Sequence, residues 1–228
     1  EFENFFTYPD CEILDKNKSK REIKFNAQAS GGRMAIYTEN GSKKMLFTTG
    51  TFLINSNAQK DDSNLGKILL IDLENAQSKV FAKGFRNPQG LFVKNGKILT
   101  SSHGPKGGDE INKILYGKNY GWPISSYGTE YKYKKDDNLK YKKNHLNHGF
   151  EEPVFSFVPS VGLSQIIGVE DSFNQKWRNN ILVTSLKGSS IFRLTMSEDY
   201  SKIISKERII VNERIRDIYF DEELNKFV

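Results

Sequence analysis

The chain has 228 residues, 37% of them hydrophobic and 27% charged, which is enough for one domain with a sizeable core. No apolar run is long enough to span a membrane as a helix, and the single cysteine, Cys11, excludes an intramolecular disulfide or a cysteine zinc site. The net charge of +6 reads as a lysine-rich surface: the densest basic run, Tyr131 to Lys143, is interrupted by Asp136 and Asp137 and reads as a solvated loop, so no nucleic-acid partner is expected.

In chain order, the sequence reads as repeated β-hairpins. Met34–Tyr37 and Met45–Gly50 flank Glu39-Asn40-Gly41, and Gly90–Val93 and Lys97–Ser102 flank Lys94-Asn95-Gly96. Asn-Gly between short apolar runs is the strongest local hairpin signal. Ile166–Val169 and Ile181–Gly188 form a third pair across a longer link that holds a short helical turn around Asp171–Trp177. Arg216–Phe220 and Lys226–Val228 form a fourth. Outer strands are expected at Gly66–Asp72, Ser78–Phe81, Ser190–Leu194 and Ile209–Val211. Hairpins recurring roughly every 50 to 75 residues point to an all-β propeller with about four blades. Residues 1–228 read as a single propeller domain, incomplete at both ends. A β-sandwich is the structural alternative.

The second strand of successive hairpins ends in Thr48-Thr49-Gly50, Ser101-Ser102-His103-Gly104 and Thr184-Ser185-Leu186-Lys187-Gly188. Equivalent strand ends of a propeller converge on one mouth of the central channel. The repeat therefore predicts a ligand site there, with His103 and Lys187 as spatial neighbours. The run Gly104-Pro105-Lys106-Gly107-Gly108 turns backbone carbonyls outward, and Asp109 and Glu110 follow at once. That oxygen-rich chemistry suits a hard cation such as calcium. Arg86-Asn87-Pro88-Gln89-Gly90 just upstream offers an arginine and an amide to a polyanionic or quinone-like ligand.

These motifs, followed by Asn119-Tyr120-Gly121-Trp122-Pro123, resemble the soluble PQQ-dependent aldose sugar dehydrogenases of the glucose/sorbosone dehydrogenase family. The resemblance implies a six-bladed propeller type and hydride transfer from C1 of an aldose to PQQ, with the protein periplasmic or secreted. It implies PQQ contacts from Arg86, Asn87 and His103, and from Ser160 in Val158-Pro159-Ser160. Lys187 in Ser-Leu-Lys-Gly, Arg214 and Arg216 in Arg-Ile-Arg-Asp, and Tyr131 would add to them. It implies two calcium ions, one held by Gly104 and Pro105 together with PQQ oxygens and one by Glu110 and Tyr120. One position departs from the pattern. The family places its general base, a histidine, four residues before the arginine of Gly-Gly-Arg. Here that position is Ala29, in Gln28-Ala29-Ser30-Gly31-Gly32-Arg33. A methyl group accepts no proton, so catalysis is expected to be impaired. His145 and His148, in the loop after Tyr131, are the substitute candidates. The alternative reading is a non-catalytic propeller that binds a ligand or protein partner.

Overall fold

The computed structural model describes residues 4–6, 28–131 and 141–228. Cys11 and the lysines from 132 to 140 lie outside them. Three antiparallel four-stranded sheets follow one another along the chain. The first is β1 (Gly31–Glu39), β2 (Ser42–Thr49), β3 (Lys67–Asp72) and β4 (Ser78–Lys83). The second is β5 (Pro88–Lys94), β6 (Lys97–Ser102), β7 (Asp109–Lys113) and β8 (Phe155–Phe157). The third is β9 (Leu163–Gly168), β10 (Asn180–Ser185), β11 (Ser190–Met196) and β12 (Ile203–Ile210). A two-stranded sheet, β13 (Phe220–Asp221) with β14 (Lys226–Phe227), comes last. Within each sheet the strands lie in chain order, and the first strands neighbour one another, β1 with β5 and β5 with β9. This is blade architecture: three blades and the start of a fourth.

The two Asn-Gly turns have the backbone their residues favour. Asn40 and Gly41 take φ of 51° and 82°, Asn95 and Gly96 take 52° and 72°. Both central positions of such a turn need φ above zero, which asparagine and glycine tolerate best. Apolar side chains fill the spaces between blades. Leu46, Ile68, Phe81 and Phe85 pack with Leu91 and Ile98 between the first and second. Leu99, Ile111 and Phe157 pack with Ile166, Val183 and Phe192 between the second and third. Leu182 and Val169 meet Ile218 at the fourth.

The structure differs from the sequence reading in three places. Strand β7 begins at Asp109, so the glycine-rich turn is confined to residues 103–108. Strand β12 starts at Ile203, through a polar, exposed stretch that carries no apolar alternation. The segment before Phe220 is not a strand. It is tied to the third blade instead: Ile215 N donates to Ser185 O at 3.2 Å, and Ser164 Oγ donates to Arg216 O.

Candidate functional site

The strand-end hydroxyls stitch blades together. Thr48 Oγ1 donates to Pro88 O at 3.0 Å, from the first blade to the second. Ser101 Oγ donates to Ser164 O, from the second to the third. The Ser164 bond to Arg216 continues the series into the fourth. Hydroxyls read from the sequence as ligand contacts are thus engaged by neighbouring backbone. This stitching fixes the segments just beyond them.

Three segments, residues 31–33, 87–89 and 216–217, are tied together by hydrogen bonds. Asn87, only 6% exposed, accepts at Oδ1 from Gly31 N at 3.1 Å and from Gln89 Nε2 at 2.9 Å. Gln89 Oε1 in turn accepts from Arg216 Nη1 at 2.7 Å. Arg33 Nε donates to Gln89 O at 3.2 Å, while its Nη1 pairs with Asp217 Oδ2 at 2.9 Å. Asn87 and Arg216 are therefore joined through Gln89. Sequence reasoning assigned no role to Gln89, although it stands inside the Arg-Asn-Pro-Gln-Gly motif. Lys187 and Arg214 are exposed at the ends of their turns and make no ion pair with the described residues.

The second cluster centres on Asp109, buried at 1% exposure. Its Oδ1 accepts from Gly104 N at 3.1 Å and Ser160 Oγ at 2.9 Å. Its Oδ2 accepts from the backbone N–H groups of Val161, Gly162 and Leu163 at 3.0, 2.6 and 3.3 Å. One carboxylate thus ties the glycine-rich turn to the 160–163 turn, and it holds the Ser160 hydroxyl. His103 lies beside it, with Nε2 against Leu163 O. Burial pushes the His103 imidazole below its ordinary value, the Asp109 charge opposes this, and Arg86 and Arg216 add to the lowering. The carbonyl of Gly162 accepts from Leu186 N at 2.7 Å. The same turn therefore carries both His103 and the chain leading to Lys187.

Behind the turn lies a small enclosed space of about 10 Å³, the size for one water or one ion. Arg86, Ser102, Gly104, Gly108, Glu110 and Tyr120 line it. The Glu110 side chain is 14% exposed, and burial pushes its carboxyl up to about 8. Asn112 Nδ2 donates to Glu110 Oε2 at 3.3 Å, and the buried Asn112 Oδ1 has no hydrogen-bond partner. The Tyr120 hydroxyl is engaged elsewhere: it donates to Lys113 O at 2.6 Å and accepts from Leu115 N at 2.9 Å. A cation here would meet one carboxylate and backbone or amide oxygens. Among the described residues no group of three His, Cys, Asp or Glu is placed to hold a metal.

His145 sits in a 3₁₀ turn (His145–His148) and is 1% exposed, with Nε2 3.5 Å from Glu110 Oε1. Tyr127 stacks on it at 5.3 Å. It belongs to this interior cluster. His148 is exposed on the same turn. Lys143 also departs from the solvated-loop reading: its Nζ donates to Ser126 O at 2.6 Å and to Gly128 O.

A cleft of about 110 Å³ opens beside Arg86. Trp122, Tyr131, Tyr141, Asn55, Glu130 and Gln28 line it, with Leu53 and Pro105. The Arg86 guanidinium lies 5.6 Å from the Trp122 ring, and Tyr141 packs on that ring at 5.3 Å. Arg86 lines both the cleft and the small space behind it. Gln28, which lines the cleft, precedes Ala29, which is itself buried; the Ala29 carbonyl accepts from Phe52 N at 3.0 Å, next to Leu53.

A sequence model described as Glucose / Sorbosone dehydrogenase matches residues 10–225. The chain belongs to that family. This glucose/sorbosone dehydrogenase family member is 31% identical over 147 residues to aldose sugar dehydrogenase YliI of Escherichia coli, covering 63% of this chain and 38% of the relative. It is 30% identical over 198 residues to quinoprotein glucose dehydrogenase B of Acinetobacter calcoaceticus, covering 60% and 41%. It thus spans about two fifths of those relatives. Among solved structures, a glucose dehydrogenase superposes with a TM-score of 0.73 at 29% identity, covering 85% of this chain and 58% of that one. The apo-form of the E. coli soluble aldose sugar dehydrogenase gives 0.72 at 25% identity, with the same coverage. The propeller expected from the hairpin repeat is the fold of the family. No helix among the described residues is long and apolar enough to cross a membrane.

Proposed function

We propose that the protein takes part in PQQ- and calcium-dependent oxidation of the C1 hydroxyl of aldoses, in the periplasm or outside the cell. The observation that carries this reading is the joined pair of Asn87 and Arg216 through Gln89, to which Arg86, Lys187 and Arg214 would add positive charge. The cofactor is a tricarboxylated ortho-quinone, and it supplies the hydride acceptor. Arginine forks and amides suit its carboxylates and quinone oxygens. Arg216 and Asn87 would orient it, with Arg86 facing the cleft beside them. His103, kept neutral by burial, adds no competing positive charge there. Asp109 holds the two turns that frame the site. Trp122 and Tyr141, both nearly buried, line the cleft in which a sugar ring would sit.

The donor set fits calcium: a nearly buried carboxylate on Glu110 beside a turn rich in carbonyls. Gly104, Glu110 and Tyr120 line the small space; Glu110 and Tyr120 would hold one ion there, Tyr120 by its backbone because its hydroxyl is taken, while the Gly104 and Pro105 carbonyls would share a second with the cofactor. The reading is tested by titrating calcium-loaded protein with PQQ. A saturable change in the quinone absorbance, bleached by an added aldose, supports it. Absence of any binding would favour the non-catalytic propeller that Ala29 suggests.

Two predictions follow from the site. Calcium should raise the melting temperature of chelated protein by mass action. The gain should grow with pH. The folded-state carboxyl of Glu110 is raised to about 8, so its contribution is full below the unfolded glutamate value of about 4.3 and is lost as pH rises through 8. A bound cation stabilises the ionised form and should remove that loss. A pH-independent calcium effect would argue against Glu110 as a ligand. Second, Lys187→Ala should weaken PQQ binding about 10- to 100-fold, the worth of one charge-assisted contact. Lys202→Ala, on an exposed turn far along the third blade, should leave it unchanged. Equal affinities of the two variants would remove Lys187 from the site.

A further inference from the structure

Ala29 leaves the expected base position without a proton acceptor, and neither loop histidine replaces it at the cleft. His145 is enclosed beside Glu110, and His148 is not among the cleft residues. Among the described residues that line the cleft, one is a carboxylate. Glu130 lines the cleft together with Gln28, Asn55, Arg86, Trp122 and Tyr141. Glu130 is half-buried. The Tyr141 hydroxyl donates to Glu130 Oε1, which fixes the carboxylate's orientation. Burial, then this hydrogen bond, holds the Tyr141 hydroxyl well above the usual phenol range. Tyr141 therefore stays a donor at every working pH. A base oriented by a third group is the arrangement that proton abstraction needs. The arrangement also has the right neighbour: Gln28, on the same wall, is the residue next to Ala29.

We propose that Glu130 is the general base of the sugar oxidation, with Tyr141 as its positioning residue. The inference rests on the sugar-dehydrogenase reading above. In the step, the C1–H bond breaks and its hydride passes to the ortho-quinone cofactor, which is reduced by two electrons. The C1 hydroxyl O–H bond breaks, its proton passes to a Glu130 oxygen, and its electron pair forms the C1=O bond of the lactone. Glu130 then releases the proton to water. Arg86, on the same cleft wall, is placed to hold a ring hydroxyl.

The test uses PQQ and glucose on calcium-loaded protein, with cofactor binding and quinone reduction read separately by absorbance. Glu130→Gln keeps the size and the hydrogen bond to Tyr141 but accepts no proton. It should bind PQQ with the wild-type affinity and reduce it roughly 10²- to 10⁴-fold more slowly on mixing with glucose. Glu130→Asp, a carboxylate set back by one methylene, should recover part of that rate. Tyr141→Phe should slow reduction less than Glu130→Gln, with PQQ affinity unchanged. A Glu130→Gln protein that binds PQQ and reduces it at the wild-type rate overturns the proposal and leaves the family reading intact. A wild-type protein that binds no PQQ overturns both. Should Glu130→Gln fail to fold, Glu130→Asp and Tyr141→Phe decide: two variants with wild-type reduction rates overturn the assignment.

Discussion

Asp109→Asn should be among the most destabilising single changes in the chain. The wild-type carboxylate accepts five hydrogen bonds, from Gly104 N, Ser160 Oγ and the N–H groups of Val161, Gly162 and Leu163. All five partners are donors. An amide of the same shape has one acceptor oxygen, and its NH₂ must face the other donors. Whichever way it flips, backbone N–H groups at a 1% exposed position lose their acceptor. Each unsatisfied buried group costs about 1–3 kcal/mol, and with two or three donors left without an acceptor the total is about 2–6 kcal/mol. We expect the middle of that range, a fall in melting temperature of roughly 6 to 20 °C for a domain of this size. Ser160→Ala removes only one of the five bonds and should cost about 1 kcal/mol. Thermal unfolding of the two variants checks this. Similar melting temperatures would mean that the hydroxyl, rather than the carboxylate, binds the two turns. A linked effect is expected on the cation. Gly104 is held by Asp109, so Asp109→Asn should also reduce the stabilisation by calcium.

The Asp109 case shows where sequence reading stops. The Asn-Gly hairpins were legible because a turn's chemistry is local: residues 40–41 and 95–96 dictate their own backbone. The blade repeat, read as about four blades, followed from them, and the structure has three blades and the start of a fourth. Strand β8 was not legible, because three residues carry no period and a long loop precedes them. Strand β12 was hidden by its polar, exposed sequence. The motif around residues 102–112 was read as one ligand loop. Asp109 and Glu110 are adjacent, yet they turn to different tasks, since successive residues of a strand face opposite sides. Asp109 serves the 160–163 turn and Glu110 the small enclosed space. Gln89 was visible as a residue but not as a bridge, because its partner Arg216 lies 127 positions away. The hydroxyls of Thr48 and Ser101 looked like ligand contacts for the same reason: their acceptors are on neighbouring blades. Side-chain partners at such separations are set by blade packing, which no local pattern encodes.

Restoring a histidine at residue 29 should rescue a Glu130→Gln protein. The backbone at this position already favours the exchange. Ala29 has φ of 58°, a region in which histidine, asparagine and aspartate are several-fold enriched over other non-glycine residues. Alanine gains nothing there. The conformation is held from outside, by Phe52 N donating to Ala29 O and Gly50 N donating to Ser30 O at 2.8 Å. Gly50 leaves room for that crossing, since a Cβ on it would stand 1.8 Å from Ala29 O. A histidine at 29 therefore needs no backbone change, only room for its ring at a buried position beside the cleft residue Gln28. In the Glu130→Gln background it should return a large part of the roughly 10²- to 10⁴-fold lost. PQQ affinity should stay constant, because Asn87, Arg216 and Lys187 are untouched. In the wild-type background the same Ala29→His change should add little, because one base already serves the hydroxyl. A large gain in the wild-type background would mean that no residue of the native cleft acts as base. Failure of rescue, with PQQ bound and the protein folded, would mean that residue 29 and Glu130 face different atoms of the sugar.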